Sequence, residues 1–218
     1  MKTEELIQRL TADVRPVRRL ASPPRRVSAW LAAGLPYLAL VVLIMSPRDD
    51  LAAKLSEIRF LVEQGAAFAT AVLAAIAAFS LGIPGRSRWW AVLPLPALGL
   101  WLASLGQGCW RAWVELGAEG LVLRPDFVCF PAIVAAGAVP GVVMVLMLRR
   151  GAPLAPRLAV MLGALAAAAL GDFGLRLFHP QDASVMILVW QIGTVALLSL
   201  LGNMVGPRLL VWRRIATA

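Results

Sequence analysis

The sequence predicts an all-α fold, a polytopic bundle of six transmembrane helices preceded by a short amphipathic helix. Hydrophobic residues make up 60% of the 218 residues, and charged residues, only 15%, concentrate between uncharged apolar runs. A bilayer core of ~30 Å needs ~20 apolar helical residues to cross it. A helix also satisfies its own backbone hydrogen bonds within such a run. The six runs are 27–47, 64–85, 89–110, 127–148, 158–171 and 183–207.

The basic residues predict the orientation of these six spans. Fifteen of the 21 Lys and Arg lie on flanks that share one side of the membrane, and such an excess marks the cytoplasm. We therefore expect both termini to be cytoplasmic. The fifth run is short, but Asp172 and Arg176 follow it at i, i+4 spacing and can pair, which lets the helix continue. Without that span, Arg208, Arg213 and Arg214 would lie on the outer side of the membrane, contrary to the positive-inside rule.

Six spans leave little of the chain for other domains. We predict a cytoplasmic segment with a Pro-rich spacer at 1–26, the six-helix domain at 27–207 and a cytoplasmic tail at 208–218. The net charge of +9 reflects arginines that set topology and meet anionic lipid, so we expect the lipid bilayer as a partner and no direct nucleic-acid binding. The bias is consistent with a bacterial inner (cytoplasmic) membrane, multi-pass, with no cleaved signal.

The N-terminal segment predicts a short amphipathic helix that has no core of its own. Thr3 can cap it, and Pro16 disfavours helix at Arg15, so it should end near Val14. The sequence Ser22-Pro23-Pro24 then predicts a stiff, extended spacer. A helix this short is marginal alone in water, so its apolar stripe needs a cover, either the membrane surface or a groove on a protein partner. The stripe consists of Leu6, Ile7, Leu10, Val14 and Val17, at i, i+3, i+4, i+7 spacing.

The spans contain little that could support transport or catalysis. No span has a charge at its centre, which a coupled transporter would normally need. The chain has a single histidine and no recognisable catalytic motif, so we predict neither an enzyme nor a cofactor or metal site. A small polytopic transporter or a membrane scaffold protein is the alternative to a regulatory function.

Two cysteines are the other candidate for chemistry. Cys109 and Cys129 flank one loop on the predicted outer, oxidising side, with His179 on the same side. They are either small apolar core residues or a redox- or metal-responsive pair, and a disulfide is possible if their helices pack as a hairpin. The residue pattern leaves these alternatives open.

The chain resembles the NrsF-type membrane-bound anti-sigma factors, small six-helix bacterial proteins that negatively regulate extracytoplasmic-function sigma factors. The resemblance rests on TEELIQRLTAD at 3–13, PVRRL at 16–20, RRGAP at 149–153 and PQDAS at 180–184 before a span containing Trp190. It covers essentially the full chain. It implies that the N-terminal segment sequesters such a sigma factor at the membrane, and that a membrane or periplasmic stress signal releases it.

The resemblance also suggests roles for individual residues. In the sigma-binding segment it implies apolar burial of the stripe, polar contacts by Asp13, Arg18 and Arg19, and a contact by Pro16. Family members carry outer-side cysteines tied to stress sensing, and Cys129 matches one of them. Phe178-His179 stands where a second is expected, so either Cys109 or His179 could complete the pair.

Overall fold

A computed structural model describes residues 3–12, 20–122, 129–151, 153–179 and 187–210, and their regular structure is all helical, as predicted. Short 3-10 turns at Arg88–Val92 and Gly117–Leu121 flank the fifth helix, and a π-helical turn at Ile187–Ile192 precedes the last. The helices are α1 (Thr3–Ala12), α2 (Pro23–Met45), α3 (Leu51–Lys54), α4 (Ile58–Leu81), α5 (Leu95–Leu116), α6 (Cys129–Leu148), α7 (Pro156–Leu175) and α8 (Gly193–Leu209).

Five helical stretches are long and apolar enough to cross a membrane. They are Pro23–Met45, Ile58–Leu81, Arg88–Glu119, Pro131–Leu148 and Pro156–Leu175. The run at 158–171, which looked short in sequence, thus lies within a helix of 20 residues. The sixth predicted span is described only in part, because residues 180–186 lie outside the described chain and the apolar stretch Gly193–Gly206 alone is shorter. The count of six spans therefore stays a prediction.

Helices α4 and α7 form the centre of the bundle. About two thirds or more of their most apolar windows are buried (67% and 72%), against 22–28% in the other three candidate spans. Both helices are rich in alanine, and small side chains let neighbouring backbones approach closely in a lipid environment. Helix α7 consequently contacts α2, α4, α6 and α8.

Glycines mark the closest helix contacts. A Cβ added at Gly171 of α7 would lie 3.0 Å from the backbone nitrogen of Gly137 on α6. At Gly202 and Gly206 of α8, an added Cβ would lie 3.2 and 3.0 Å from backbone oxygens of α7. The GxxxG spacing at 202 and 206 therefore serves packing within the chain.

The start of α2 differs from the prediction. We expected Ser22-Pro23-Pro24 to be extended, but the helix begins at Pro23, so the prediction is wrong for the two prolines. Proline suits the first helical turn, where its missing N–H would have no helical partner and its φ is already helical. Helix α2 therefore includes Arg25 and Arg26, and it begins four residues before the uncharged run at 27–47.

One end of the bundle is basic. It joins the start of α2 to the ends of α4 and α6, since Arg26 bonds to the Met147 carbonyl and a Cβ on Gly151 would lie 2.8 Å from the Gly82 oxygen. The start of α7 and the last turn of α8 meet there as well, where Gly206 lies beside Pro156. All charged residues of the described bundle at this basic end are arginines: Arg25, Arg26, Arg86, Arg88, Arg149, Arg150, Arg157 and Arg208.

The other end, the mixed-charge end, carries both signs. The backbone N–H of Arg48 donates to the carbonyl of Leu177 at 3.1 Å, which joins the loop after α2 to the turn after α7. This segregation of charge matches the pattern from which the orientation was predicted. The charged residues here are Arg48, Asp49, Asp50, Lys54, Glu57, Arg59, Glu63, Arg111, Glu115, Glu119, Asp172 and Arg176.

Candidate functional site

Helix α1 exposes the apolar side chains that were predicted to bind a partner. Leu6 is 40% exposed and Ile7 is 54% exposed. The hydroxyl of Thr11 donates to the Ile7 carbonyl at 2.8 Å within the helix. Glu4 and Glu5 lie in the first turn, where negative charge favours the helix dipole. An amphipathic helix with an uncovered apolar face is therefore present at the N-terminus, as predicted.

The rest of the predicted sigma-binding set is only partly described. Leu10 lies within α1, but its side chain lies outside the described part of the structure. The predicted contacts at 13–19, namely Asp13, Val14, Pro16, Val17, Arg18 and Arg19, lie outside the described residues. Leu20, where the description resumes, is 39% exposed.

Arg26 fixes the first turn of α2, directly after the N-terminal segment. Its side chain is buried at the basic end, and its Nη2 donates to the carbonyl of Met147 on α6. The guanidinium carbon lies 4.2 Å from the centre of the Phe79 ring on α4, which makes a cation–π contact. Its Nη1 has no hydrogen-bond partner among the described residues. One arginine thus holds the start of α2 against α4 and α6.

Sequence reasoning missed this role of Arg26. Arg25 and Arg26 are adjacent and look equivalent as topology determinants, and only Arg26 is buried. No local pattern distinguishes them, because the contacts come from residues 53 and 121 positions further along the chain.

Glu63 is the centre of a buried ion cluster at the mixed-charge end. Its Oε2 accepts a hydrogen bond from Arg176 Nη2 of α7's C-terminal turn at 3.0 Å, and its Oε1 accepts one from Arg59 Nε at 2.9 Å. The guanidinium of Arg176 also lies 5.4 Å from the ring centre of Phe60. Gln64 adds a hydrogen bond to the carbonyl of Phe173 at 3.2 Å. These contacts join the first turns of α4 to the last turns of α7.

Asp172 lies beside this cluster and is almost fully buried. Its Oδ1 atom has no hydrogen-bond partner among the described residues. Helical spacing suggested Asp172 as a partner of Arg176, and the structure pairs Arg176 with Glu63 on a different helix. The Glu63–Arg176 pair could not be read from spacing, because 113 residues separate its members.

Another ion pair lies in the loop after α2. Arg48 donates to both carboxylate oxygens of Asp50, with distances of 2.6 and 2.8 Å. This bidentate bond holds the pKa of the Asp50 carboxyl below its usual range. The Arg48 side chain is buried although Asp50 remains accessible. The loop is thereby fixed at the same end as the Glu63 cluster.

The predicted sensing residues are only partly described. Cys109 is half-buried in α5 and carries a free thiol. Cys129 begins α6, but its side chain lies outside the described part. His179 is half-buried after α7, and its backbone N–H donates to the Leu175 carbonyl at 2.8 Å. The described residues contain no group of three His, Cys, Asp or Glu side chains that could hold a metal ion.

Comparison with known families gives one match. A family model described as "NrsF: Negative regulator of sigma F" matches residues 10–212, nearly the whole chain. Neither a curated protein nor a solved structure matches the chain.

Proposed function

The chain belongs to the NrsF family of negative regulators of sigma F, and on that premise we propose that it is a membrane-anchored anti-sigma factor. The family supports a sigma factor as the partner and a regulatory rather than an enzymatic role. It also favours regulation over the transporter or scaffold alternative. The observation that carries the proposal in structural terms is the uncovered apolar face of α1, which bears the exposed Leu6 and Ile7.

The proposed binding mode is an amphipathic helix received in a groove of the sigma factor. Leu6, Ile7 and Leu10 lie within one and a half turns and fall on one face of α1. Val14 and Val17 continue the same face by sequence spacing, with Asp13, Pro16, Arg18 and Arg19 as the proposed polar and turn contacts. A short helix is marginal alone, so ordering it on binding costs about 2–5 kcal/mol and keeps the affinity adjustable.

The proposed location holds the sigma factor at the inner face of a bacterial cytoplasmic membrane. Five helices can span a bilayer, and the basic end gathers the arginines that the positive-inside rule assigns to the cytoplasm. Helix α2 begins at that end, so the N-terminal segment precedes it on the cytoplasmic side. We propose an extracytoplasmic-function sigma factor as the partner, kept away from RNA polymerase while bound.

Release would require a route from the outer side to the start of α2, and α4 supplies one. Glu63 near its first turn and Phe79 near its last are separated by ~24 Å at 1.5 Å per residue. Glu63 bonds to Arg176 at the end of α7, and the Phe79 ring contacts Arg26 of α2. We propose that a change at the mixed-charge end, sensed through Cys109, Cys129 or His179, moves α4 and loosens Arg26.

Co-purification from cells tests the binding proposal. The tagged full chain should recover a sigma factor, identified by mass spectrometry, and the chain lacking residues 3–20 should recover none. The double variant Leu6→Asp, Ile7→Asp should lose the sigma factor as well, because it puts two charges on the apolar face. Gln8→Asp on the opposite face of α1 is the matched control and should retain it. Equal recovery by all four proteins would refute the proposed segment.

A further inference from the structure

An apolar groove runs along the outside of the bundle between α6 and α7, and α8 closes one side. Its volume is about 480 Å³, within the ~300–1,000 Å³ range of ligand sites. The floor consists of small residues, Gly137 and Gly141 on α6 and Ala164, Ala167 and Ala168 on α7. The walls include Val142 and Leu146, which are 60% and 53% exposed. Both helices can span a membrane, so the groove opens towards hydrocarbon.

The groove ends at a positive charge. Arg149, the residue after α6, lines it at the basic end, and among the described residues it is the one charged member of the lining. Arg150 adjoins Arg149, and the charged residues of the described bundle at this end are all arginines. The lining from Val134 to Arg149 covers ~22 Å along α6 at 1.5 Å per residue. That length reaches from the membrane surface past the centre of a core ~30 Å thick.

We propose that this groove binds one anionic phospholipid, with an acyl chain along the small-residue floor and the phosphate at Arg149. An apolar slot that opens at an end where the charged residues of the described bundle are all arginines is complementary to a molecule with one apolar tail region and one negative headgroup. A zwitterionic lipid would fill the same slot but would gain less at Arg149. The proposal does not depend on the identity of the sigma factor.

A second copy of the chain is the competing occupant, and the charges oppose it. Two copies in one membrane would be related by a two-fold axis along the membrane normal, so the same end of each would meet. Pairing through this groove would bring Arg149 and Arg150 of one copy against those of the other. Like charges held together at an interface are unfavourable, whereas a phosphate relieves them.

Native mass spectrometry of the full chain tests the proposal with defined lipids. The delipidated protein in detergent is titrated with phosphatidylglycerol or with phosphatidylcholine, and the apparent affinity for the first bound lipid is measured. We expect the wild type to prefer phosphatidylglycerol. Arg149→Gln should weaken the first phosphatidylglycerol about fivefold, the effect of one cation near an anionic surface, and leave phosphatidylcholine unchanged. Arg25→Gln, which removes a charge at the same end but outside the groove, should bind as the wild type does.

A bulky side chain in the groove tests whether the first lipid binds in the groove or at another surface of the protein. Ala138 lines the groove and is exposed, so Ala138→Phe fills it without entering the packed core. It should weaken the first lipid of either kind, and Val139→Phe, at the next position and outside the lining, should not. Helical circular dichroism confirms that each variant is folded.

Two results would overturn the assignment. One is wild-type affinity for phosphatidylglycerol in both Arg149→Gln and Ala138→Phe, which would place the lipid elsewhere. The other is efficient cross-linking of Ala138→Cys between two copies in vesicles, in a background with Cys109 and Cys129 replaced by serine. That result would assign the groove to a second copy of the chain.

Discussion

Replacing Glu63 by glutamine removes the carboxylate that accepts hydrogen bonds from both Arg59 and Arg176. The side chains of Glu63 and Arg176 are only 5% and 6% exposed, so solvent does not screen this pair. Removing one member of a buried pair costs about 3–5 kcal/mol, because the other member loses the opposite charge it was paired with. We therefore expect Glu63→Gln to lower the free energy of unfolding by about that amount.

Arg59 is the more exposed member of the cluster. Its side chain is 35% exposed, and it lies one helical turn before Glu63 on the same helix. Pairs of this kind contribute about 0–1 kcal/mol, so Arg59→Gln should have a small effect. Lys54→Gln, which breaks the more exposed pair with Glu57, is a control expected to cost no more.

Reversible unfolding in mixed micelles of mild detergent and dodecyl sulfate measures these differences. The double variant Glu63→Gln, Arg176→Gln removes both charges and should lose less than the sum of the two single losses, since neither charge is then left unpaired. A Glu63→Gln variant as stable as Lys54→Gln would refute the reasoning. It would show that water or lipid headgroups reach the cluster and screen its charges.

Three further predictions follow from other contacts. Gly171→Ala should lower the free energy of unfolding by about 1–3 kcal/mol, because the new Cβ would lie 3.0 Å from the Gly137 backbone nitrogen. Gly106→Ala is the control and should be neutral or slightly stabilising, since no atom lies within 4 Å of the added Cβ. Thermal unfolding compares the two variants. In membranes containing the wild-type chain, a maleimide should label Cys109, located by mass spectrometry of the peptides, equally with and without reductant, and labelling that needs reductant would show that its thiol is bonded. Arg26→Gln should raise transcription from a sigma-dependent reporter and Arg25→Gln should not, at equal protein levels on an immunoblot; equal reporter activity in both would exclude a special role for Arg26.

The helices were predictable because their signals are local. The apolar runs and the stripe that includes Leu6 and Ile7 depend on residues within a few turns, and the structure has helices at the described part of each. The start of α2 was predicted wrongly because Pro23-Pro24 is compatible both with an extended spacer and with a first helical turn. Spacing also does not show the contacts of Arg26 with α4 and α6, which hold this start of α2 in place.

The charged contacts within the bundle were not predictable from the sequence. Local spacing offered Asp172 as a partner of Arg176, and it gave no indication of the ion pair that Arg176 makes with Glu63 on α4. Arg26 likewise gains its role from Phe79 and Met147, which only the packing of α2, α4 and α6 brings to it. Contacts of this kind depend on which helices become neighbours, and composition and periodicity carry little information about that.

Hydrogen–deuterium exchange of the full chain in lipid nanodiscs tests the central claim most directly. The sigma factor recovered by co-purification is added, and exchange is followed in peptides from residues 3–20 and from α4. We predict slower exchange at 3–20 and unchanged exchange in α4, since the exposed face of α1 becomes buried in the partner. Unchanged exchange at 3–20, with protection elsewhere in the chain, would contradict the account.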